Sequence, residues 1–197
     1  MKQKNKYHKT IFNGILAKPL HYFSVFVLKL LGWTIENDIS QRYRKAIIIG
    51  APHTTNWDFF YGIMFAFAIR LQNLYILGKD SLVKPPFGFI IKWLSVIPVN
   101  RSNSQNAVGK IVELFNSLDH IVIGLTPEGT RKRVSKWRTG FYYIANEAKV
   151  PILMAYIDYK KRVVGFISEF QPGGNIEEDI AKIRAAYSQK CESSKGW

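Results

Sequence analysis

The sequence predicts an α/β fold: a central, largely parallel sheet flanked by helices, preceded by an N-terminal helical pair. Three observations carry that prediction. Six short runs of β-branched and aliphatic residues have strand character, and helical patterns fall between them. Strand and helix in alternation place helices on the faces of a parallel sheet. A chain of 197 residues, 47% of them hydrophobic, is also long enough and apolar enough for one compact core.

The first forty residues are basic, then apolar. Lys2, Lys4, Lys6 and Lys9 precede a stretch from Leu20 to Trp33 rich in Leu, Val, Phe and Tyr. On a helix, His21, Ser24, Leu28 and Lys29 share one narrow stripe and leave a wide apolar surface. Lysines ahead of such a helix and a tryptophan at its end suit an element lying in the head-group plane of a membrane. The competing reading is a buried core helix with a snorkelling Lys29. A membrane span needs about 18 consecutive apolar residues, and this stretch is shorter and interrupted. No small-x-small cleavage pattern follows it. Residues 1–40 are therefore expected to be a helical membrane-docking segment, and residues 41–197 an α/β domain.

Within that domain the strand-like runs are Ala46–Ile49, Leu74–Leu77, Val96–Val99, Ile121–Leu125, Pro151–Ile157 and Val163–Ser168. The helical patterns are Asp58–Leu71, Phe87–Leu94, Gln105–Leu118, Trp137–Lys149 and Ile176–Tyr187. The last opens on Asn175 followed by Glu177, Glu178 and Asp179, a cap and an acidic first turn at the positive end of the helix dipole. Each unusual polar cluster lies just beyond a run. His53 follows the first, Lys79 the second, Arg101 the third and Glu128 the fourth. In a parallel sheet those positions share the carboxyl edge, where open α/β sheets bind ligands.

The chemistry of these clusters is acid–base and anion-binding. His53 is the natural general base, since a neutral imidazole accepts a proton from an alcohol attacking a carbonyl. Asp58, five positions on, is suited to accept from the other ring nitrogen and fix the tautomer. Positions five apart do not share a helix face. His53 must then sit in a turn after Pro52, with Asp58 in the first helical turn and Thr54, Thr55 or Asn56 as its cap. In Glu128-Gly129-Thr130-Arg131, glycine permits a tight turn and Arg131 offers a planar fork of donors matched to phosphate oxygens. Lys79 and Arg101 add cations at the same edge. Several cations converging there make sense around a doubly charged phosphomonoester.

Other chemistries find no support. No Gly-x-Ser-x-Gly elbow occurs, so direct attack by a substrate hydroxyl is favoured over an acyl-enzyme. The four histidines, at positions 8, 21, 53 and 120, show no metal-ligand spacing, and no Walker or dinucleotide glycine pattern is present. No metal and no cofactor are expected. The lone Cys191 rules out an internal disulfide and fits a reducing compartment.

The blocks at His53–Asp58, Ile97–Arg101, Pro127–Arg131 and Val150–Ile152 together resemble the four signature blocks of the glycerolipid, or phospholipid, acyltransferases, whose best-known members are the lysophosphatidate acyltransferases. The resemblance runs from about Ile47 to Tyr156. It implies that His53 deprotonates the acceptor hydroxyl for attack on an acyl thioester. It further implies that Arg101 and Lys79 face the acceptor phosphate, that Glu128, Gly129, Thr130 and Arg131 bind the acceptor, and that the apolar fourth block lies on the acyl-chain side. The N-terminal helices resemble the family's membrane-docking pair. The second block departs from the pattern, with Ser95-Val96 where a glycine is usual and Asn100 in place of an aspartate.

The implied activity is an O-acyltransferase, 1-acylglycerol-3-phosphate O-acyltransferase-like. It would move a fatty acyl group from acyl-CoA or acyl carrier protein to a lysophospholipid at the cytoplasmic face of a membrane, as a peripheral protein. Glycerol-3-phosphate or a lyso-aminolipid is the alternative acceptor. The formal charge of +14, from 28 basic and 14 acidic residues, favours anionic partners: an anionic membrane surface, CoA phosphates, an acidic carrier protein or nucleic acid. A basic nucleic-acid-binding module is the reading from a different class. No recognition motif for it is present, so no nucleic-acid partner is expected.

Overall fold

The computed structural model describes residues 10–53, 55–83, 88–99, 104–130 and 134–191. Lys2, Lys4, Lys6, Lys9, Thr54, Asn100, Arg101 and Arg131 lie outside the described residues.

A seven-stranded sheet forms the middle of the molecule. Its strands are β1 (Thr34–Glu36), β2 (Lys45–Gly50), β3 (Leu74–Lys79), β4 (Val96–Val99), β5 (Ile121–Leu125), β6 (Ile152–Asp158) and β7 (Val163–Phe170). They lie side by side in the order β1-β7-β6-β2-β5-β3-β4. The five strands from β6 to β4 run parallel, with Ile47 beside Ile123 and Ile152, and Gly78 beside Pro98. β7 returns antiparallel to β6 and carries β1 along its outer edge. All six strand-like runs of the sequence become strands. β1 is the addition; it is three residues long and exposed throughout.

The helices are α1 (Ala17–Leu30), α2 (Trp57–Ala68), α3 (Gly88–Trp93), α4 (Ser104–Ser117), α5 (Gly140–Ala148) and α6 (Ile176–Lys190). A 3-10 turn at Ile11–Asn13 precedes α1. α6 opens as its sequence implies, with the Asn175 side chain accepting from the Glu178 amide ahead of an acidic first turn. α5 starts three residues later than the sequence pattern suggests. Trp137 is not helical; it is buried in the loop beneath Arg184 of α6, whose guanidinium lies 5.9 Å from its ring and donates to the Ser135 carbonyl at 2.9 Å.

Strand alternation sorts the core onto two faces. Ile47, Ile49, Ile121, Ile123 and Ile152 pack against Phe115 of α4, Phe141 of α5 and Ile183 of α6. On the opposite face Ala46, Val122, Leu153 and Phe166 meet α2, and Leu28 of α1 joins them. α1 runs antiparallel to α2: the His21 ring meets the Phe67 carbonyl at 3.1 Å, Ser24 Oγ donates to Met64 Sδ at 3.4 Å, and Trp33 stacks against Tyr61 with ring centroids 4.2 Å apart. The stripe of His21, Ser24 and Leu28 therefore faces the protein, while Tyr22, Phe23, Phe26 and Leu30 of the wide apolar surface are exposed. Because the end of α1 lies beside the start of α2, this surface reaches the carboxyl edge of the sheet.

Candidate active site

β2, β3, β4 and β5 end on one side of the sheet because they run parallel. The end of β3 places Lys79 at that edge, and the loops after β2 and β5 bring His53 and Glu128 there. β2 hands the chain to Ala51-Pro52-His53, and α2 begins four residues later. Beneath this turn the buried Tyr187 hydroxyl lies 2.7 Å from the Ile49 carbonyl and 2.9 Å from that of Ala155, bracing the ends of β2 and β6. Burial pushes that phenol well above its ordinary pKa, so it remains a donor.

The turn into α2 brings His53 and Asp58 together. His53 Nδ1 lies 3.0 Å from Asp58 Oδ2. Asp58 reaches back because Thr55 ties it to the start of the helix in half of a capping box: the Thr55 amide donates to Asp58 Oδ2 at 2.8 Å, while Thr55 Oγ1 accepts from the Trp57 amide at 3.1 Å. Thr55 Oγ1 also donates to Asp58 Oδ1 at 3.2 Å. The carboxylate thus caps the helix and orients the imidazole at once. With Nδ1–H directed at Asp58, Nε2 is left as the basic nitrogen.

Glu128 joins the second motif to the first. Its Oε2 accepts the His53 backbone amide at 3.0 Å. Burial raises its pKa; the bond from the His53 amide and the imidazole charge oppose that shift, and the Asp58 charge adds to it. Gly129 has φ of 63°, in the left-handed region that glycine adopts without penalty, and its amide donates to the Thr126 carbonyl at 3.2 Å. That amide is committed to the turn. The loop closes where the Arg138 amide donates to the Pro127 carbonyl at 2.8 Å.

His53, Asp58, Lys79, Gly129 and Thr130 line one cavity of about 810 Å³. Two other site residues expected from the sequence, Arg101 and Arg131, fall outside the described residues. From the carboxyl edge the cavity passes between α2 and the sheet to Leu71 and Leu74, at the opposite edge. Small residues make the room: Gly50, Gly62, Ala66, Gly124 and Ala155 all face it. A side chain added at Gly50 or Gly62 would meet no atom within 4 Å. None of the fourth-block residues Val150, Pro151 and Ile152 lines this cavity. Ile152 packs on the other face of the sheet, and it is Ala155 and Ile157, further along β6, that line the cavity. Tyr159, which no sequence pattern singled out, donates to Asp58 Oδ1 at 2.6 Å from the turn after β6.

A hydrogen-bonded imidazole–carboxylate pair beside a long apolar cavity, with a lysine at the rim, suits base-assisted attack by a hydroxyl on an acyl group whose chain is buried. None of the curated proteins compared with this chain matches it. Among solved structures, the 1-acyl-sn-glycerophosphate (LPA) acyltransferase PlsC from Thermotoga maritima has the same fold. Its TM-score is 0.63 at 18% identity, over 92% of this chain and 81% of that one. The sequence profile of the Acyltransferase family matches residues 33–158, from the end of α1 through β6. That match spans well over half of the chain and contains His53, Asp58, Lys79 and Glu128; the chain belongs to the acyltransferase family.

Proposed function

We propose that the protein transfers a fatty acyl group from a thioester, acyl-CoA or acyl carrier protein, to the hydroxyl of a lysophospholipid of the 1-acylglycerol-3-phosphate type, and that it does so at a membrane surface. The observation that carries this reading is the His53–Asp58 pair at one end of a cavity that crosses the width of the sheet. Its volume falls within the range of about 300–1,000 Å³ typical of ligand pockets. Traversing β3 from Lys79 to Leu74 takes about 17 Å at roughly 3.3 Å per residue, a path suited to an extended hydrocarbon chain.

In this mechanism His53 Nε2 takes the proton of the acceptor hydroxyl as its oxygen attacks the thioester carbonyl. Asp58 stabilises the resulting imidazolium. The tetrahedral intermediate collapses with cleavage of the C–S bond, and the imidazolium returns the proton to the departing thiolate. The products are an ester and a free thiol. Lys79 at the rim supports binding of the acceptor phosphate, and Arg101 and Arg131 are assigned the same role. The exposed aromatic and aliphatic residues of α1, continued by Trp57 at the start of α2, support docking on the lipid surface from which such an acceptor would enter.

The test is release of free thiol from acyl-CoA and from acyl carrier protein across a panel of acceptors, with lipid products identified by mass spectrometry. His53→Ala should lower turnover by at least about 10²-fold, the scale of general-base catalysis, without changing the far-UV circular dichroism spectrum. Full activity in that variant would remove the base assignment. Salt-sensitive oligonucleotide binding without thiol release would favour the nucleic-acid module instead.

A further inference from the structure

Asp58 Oδ2 meets His53 Nδ1 and the Thr55 amide, while Oδ1 meets Thr55 Oγ1 and the hydroxyl of Tyr159. The Thr55 contacts come from three residues away. They fix the carboxylate relative to the first turn of α2, but not relative to the sheet from which His53 emerges. Tyr159 comes from 101 residues away, in the turn that joins β6 to β7. Its bond to the carboxylate, at 2.6 Å, has the length of a charge-assisted O–H···O⁻ contact.

That turn is held firmly. The amides of Lys160 and Lys161 both donate to Asp158 Oδ1 at 3.0 Å, and Asp158 is buried. Arg162 accepts from the Thr34 amide at 2.9 Å and donates through Nη1 to the Leu31 carbonyl at 3.1 Å, so the turn is tied to the segment that follows α1. The Tyr159 ring, 40% exposed, stands edge-on to Trp33 at 5.5 Å and to Tyr61 at 5.7 Å. Its phenol is accordingly aimed by two aromatic neighbours that pack against each other on one side of the ring. Burial and the Asp58 bond also push it far above the ordinary tyrosine pKa, which keeps it a proton donor throughout the working range.

We propose that Tyr159 is a positioning residue of the acyl-transfer site: its hydroxyl locks the Asp58 carboxylate so that Asp58 accepts from His53 Nδ1–H and leaves Nε2 free to take the acceptor's proton. Trp33 and Tyr61 hold the phenol in line, and the backbone between α1 and β1 holds the turn. This inference rests on the general-base reading of His53.

Two readouts on the full-length protein test it. Tyr159→Phe keeps the ring and its aromatic contacts and deletes only the hydroxyl. Thiol release should show kcat lowered about tenfold, in the range of a lost hydrogen bond to a charged group, with KM for acyl-CoA unchanged. In an Asp58→Asn background the same substitution should add nothing, because the carboxylate it orients is gone. The second readout needs no substrate. In ¹⁵N NMR of the histidine side chains, His53 should be the Nδ1–H tautomer in the wild type and a mixture in Tyr159→Phe. An unchanged tautomer, or losses that multiply in the double variant, overturns the proposal even where His53→Ala is inactive. If His53→Ala keeps full turnover, the general-base reading fails, and the NMR result then decides the Tyr159 role independently.

Discussion

At the residue scale, Glu128 is the position where stability and chemistry pull in opposite directions. Its half-buried carboxylate holds the His53 amide and has its pKa raised by burial. A raised native pKa means that the folded protein binds this proton more readily than the unfolded chain. The stabilising share is complete below the ordinary carboxylate pKa and is lost as pH rises through the native value. Glu128→Gln keeps an oxygen to accept from His53 and removes the buried charge. Its Tm should therefore gain on the wild type between about pH 4 and about pH 8. The gain should be no more than about 2 °C, given how far solvent screens a half-buried group. Thermal melts at the two pH values check this. Turnover with a phosphorylated acceptor should fall by about tenfold, since the bond that holds the His53 backbone is no longer made to a charged group. A Tm difference that is flat with pH would show that the carboxylate is not strained by burial.

The same residues show what the sequence makes visible at this scale. His53 and Asp58 are legible as a pair because both belong to one turn, and Thr55-x-x-Asp58 is a capping-box pattern that explains how an aspartate five positions on reaches the imidazole. The sequence offers Thr54, Thr55 and Asn56 equally as caps; the hydrogen bonds of Thr55 to Asp58 and Trp57 give it a part in the turn, and Thr54 lies outside the described residues. Tyr159 carries no local signal, since its partnership with Asp58 is created by the fold. Glu128 is legible as a site residue, but its bond to the His53 backbone is not. A side chain gripping a main-chain amide 75 positions away leaves no trace in spacing.

At the scale of elements, α2 is a helix that leaves room between itself and the sheet. Gly62 lies one turn after Asp58 and faces the cavity, and a Cβ there would meet no atom within 4 Å. An interior helical glycine costs about 1 kcal/mol relative to alanine, so nothing in the packing calls for it. Gly62→Ala should raise Tm by about 2–4 °C for that gain. Gly62→Leu should fold at least as well as the wild type while filling the space next to the His53–Asp58 pair. Under the proposed function it should depress turnover of long-chain acyl-CoA by about tenfold or more. Equal turnover with every chain length would mean that the acyl chain does not lie along α2.

Gly165 on β7 is the contrasting case. A Cβ there would lie 2.1 Å from the Glu36 carbonyl oxygen of β1, so Gly165→Ala must push β1 away. A loss of about 1–3 kcal/mol, the scale of an overpacked site, should appear as a lowered midpoint in urea denaturation. β1 was the strand the sequence left unannounced, for a related reason. Three exposed residues carry no alternation to read, and the strand exists because Gly165 lets its backbone approach. The six longer strands are legible because each contains a nearly continuous apolar run, as the buried parallel strands β2, β3, β5 and β6 must.

For the whole molecule, positive charge and exposed apolar surface lie on the same helices, and under the proposed function both meet the membrane. The chain carries a formal +14, and Lys18, Lys29 and Lys92 are exposed on the helices that also expose Phe23, Phe26, Leu30, Phe89 and Trp93. No helix among the described residues is long and apolar enough to cross a membrane. α1 presents its apolar side outward because its polar and small residues, His21 and Ser24, are used against α2, the reverse of a helix that buries its apolar stripe. Removing α1 altogether would uncover the α2 face it packs on, so substitutions at its exposed positions are the cleaner probe. Phe26 and Leu30 are 62% and 72% exposed and contribute little to the core. Phe26→Ser with Leu30→Ser should leave the melting temperature within about 2 °C. Partitioning onto vesicles of anionic phospholipid should weaken by at least about 10²-fold, since each side chain buried in lipid is worth roughly 1.5–3 kcal/mol. Raising salt should weaken the remaining binding further, because the lysine contribution is screened over a Debye length of about 8–10 Å. Thiol release with a short-chain, water-soluble donor and acceptor should be unaffected, which separates docking from chemistry. Co-sedimentation identical to the wild type, at low and high salt alike, would mean that this surface is not what meets the lipid.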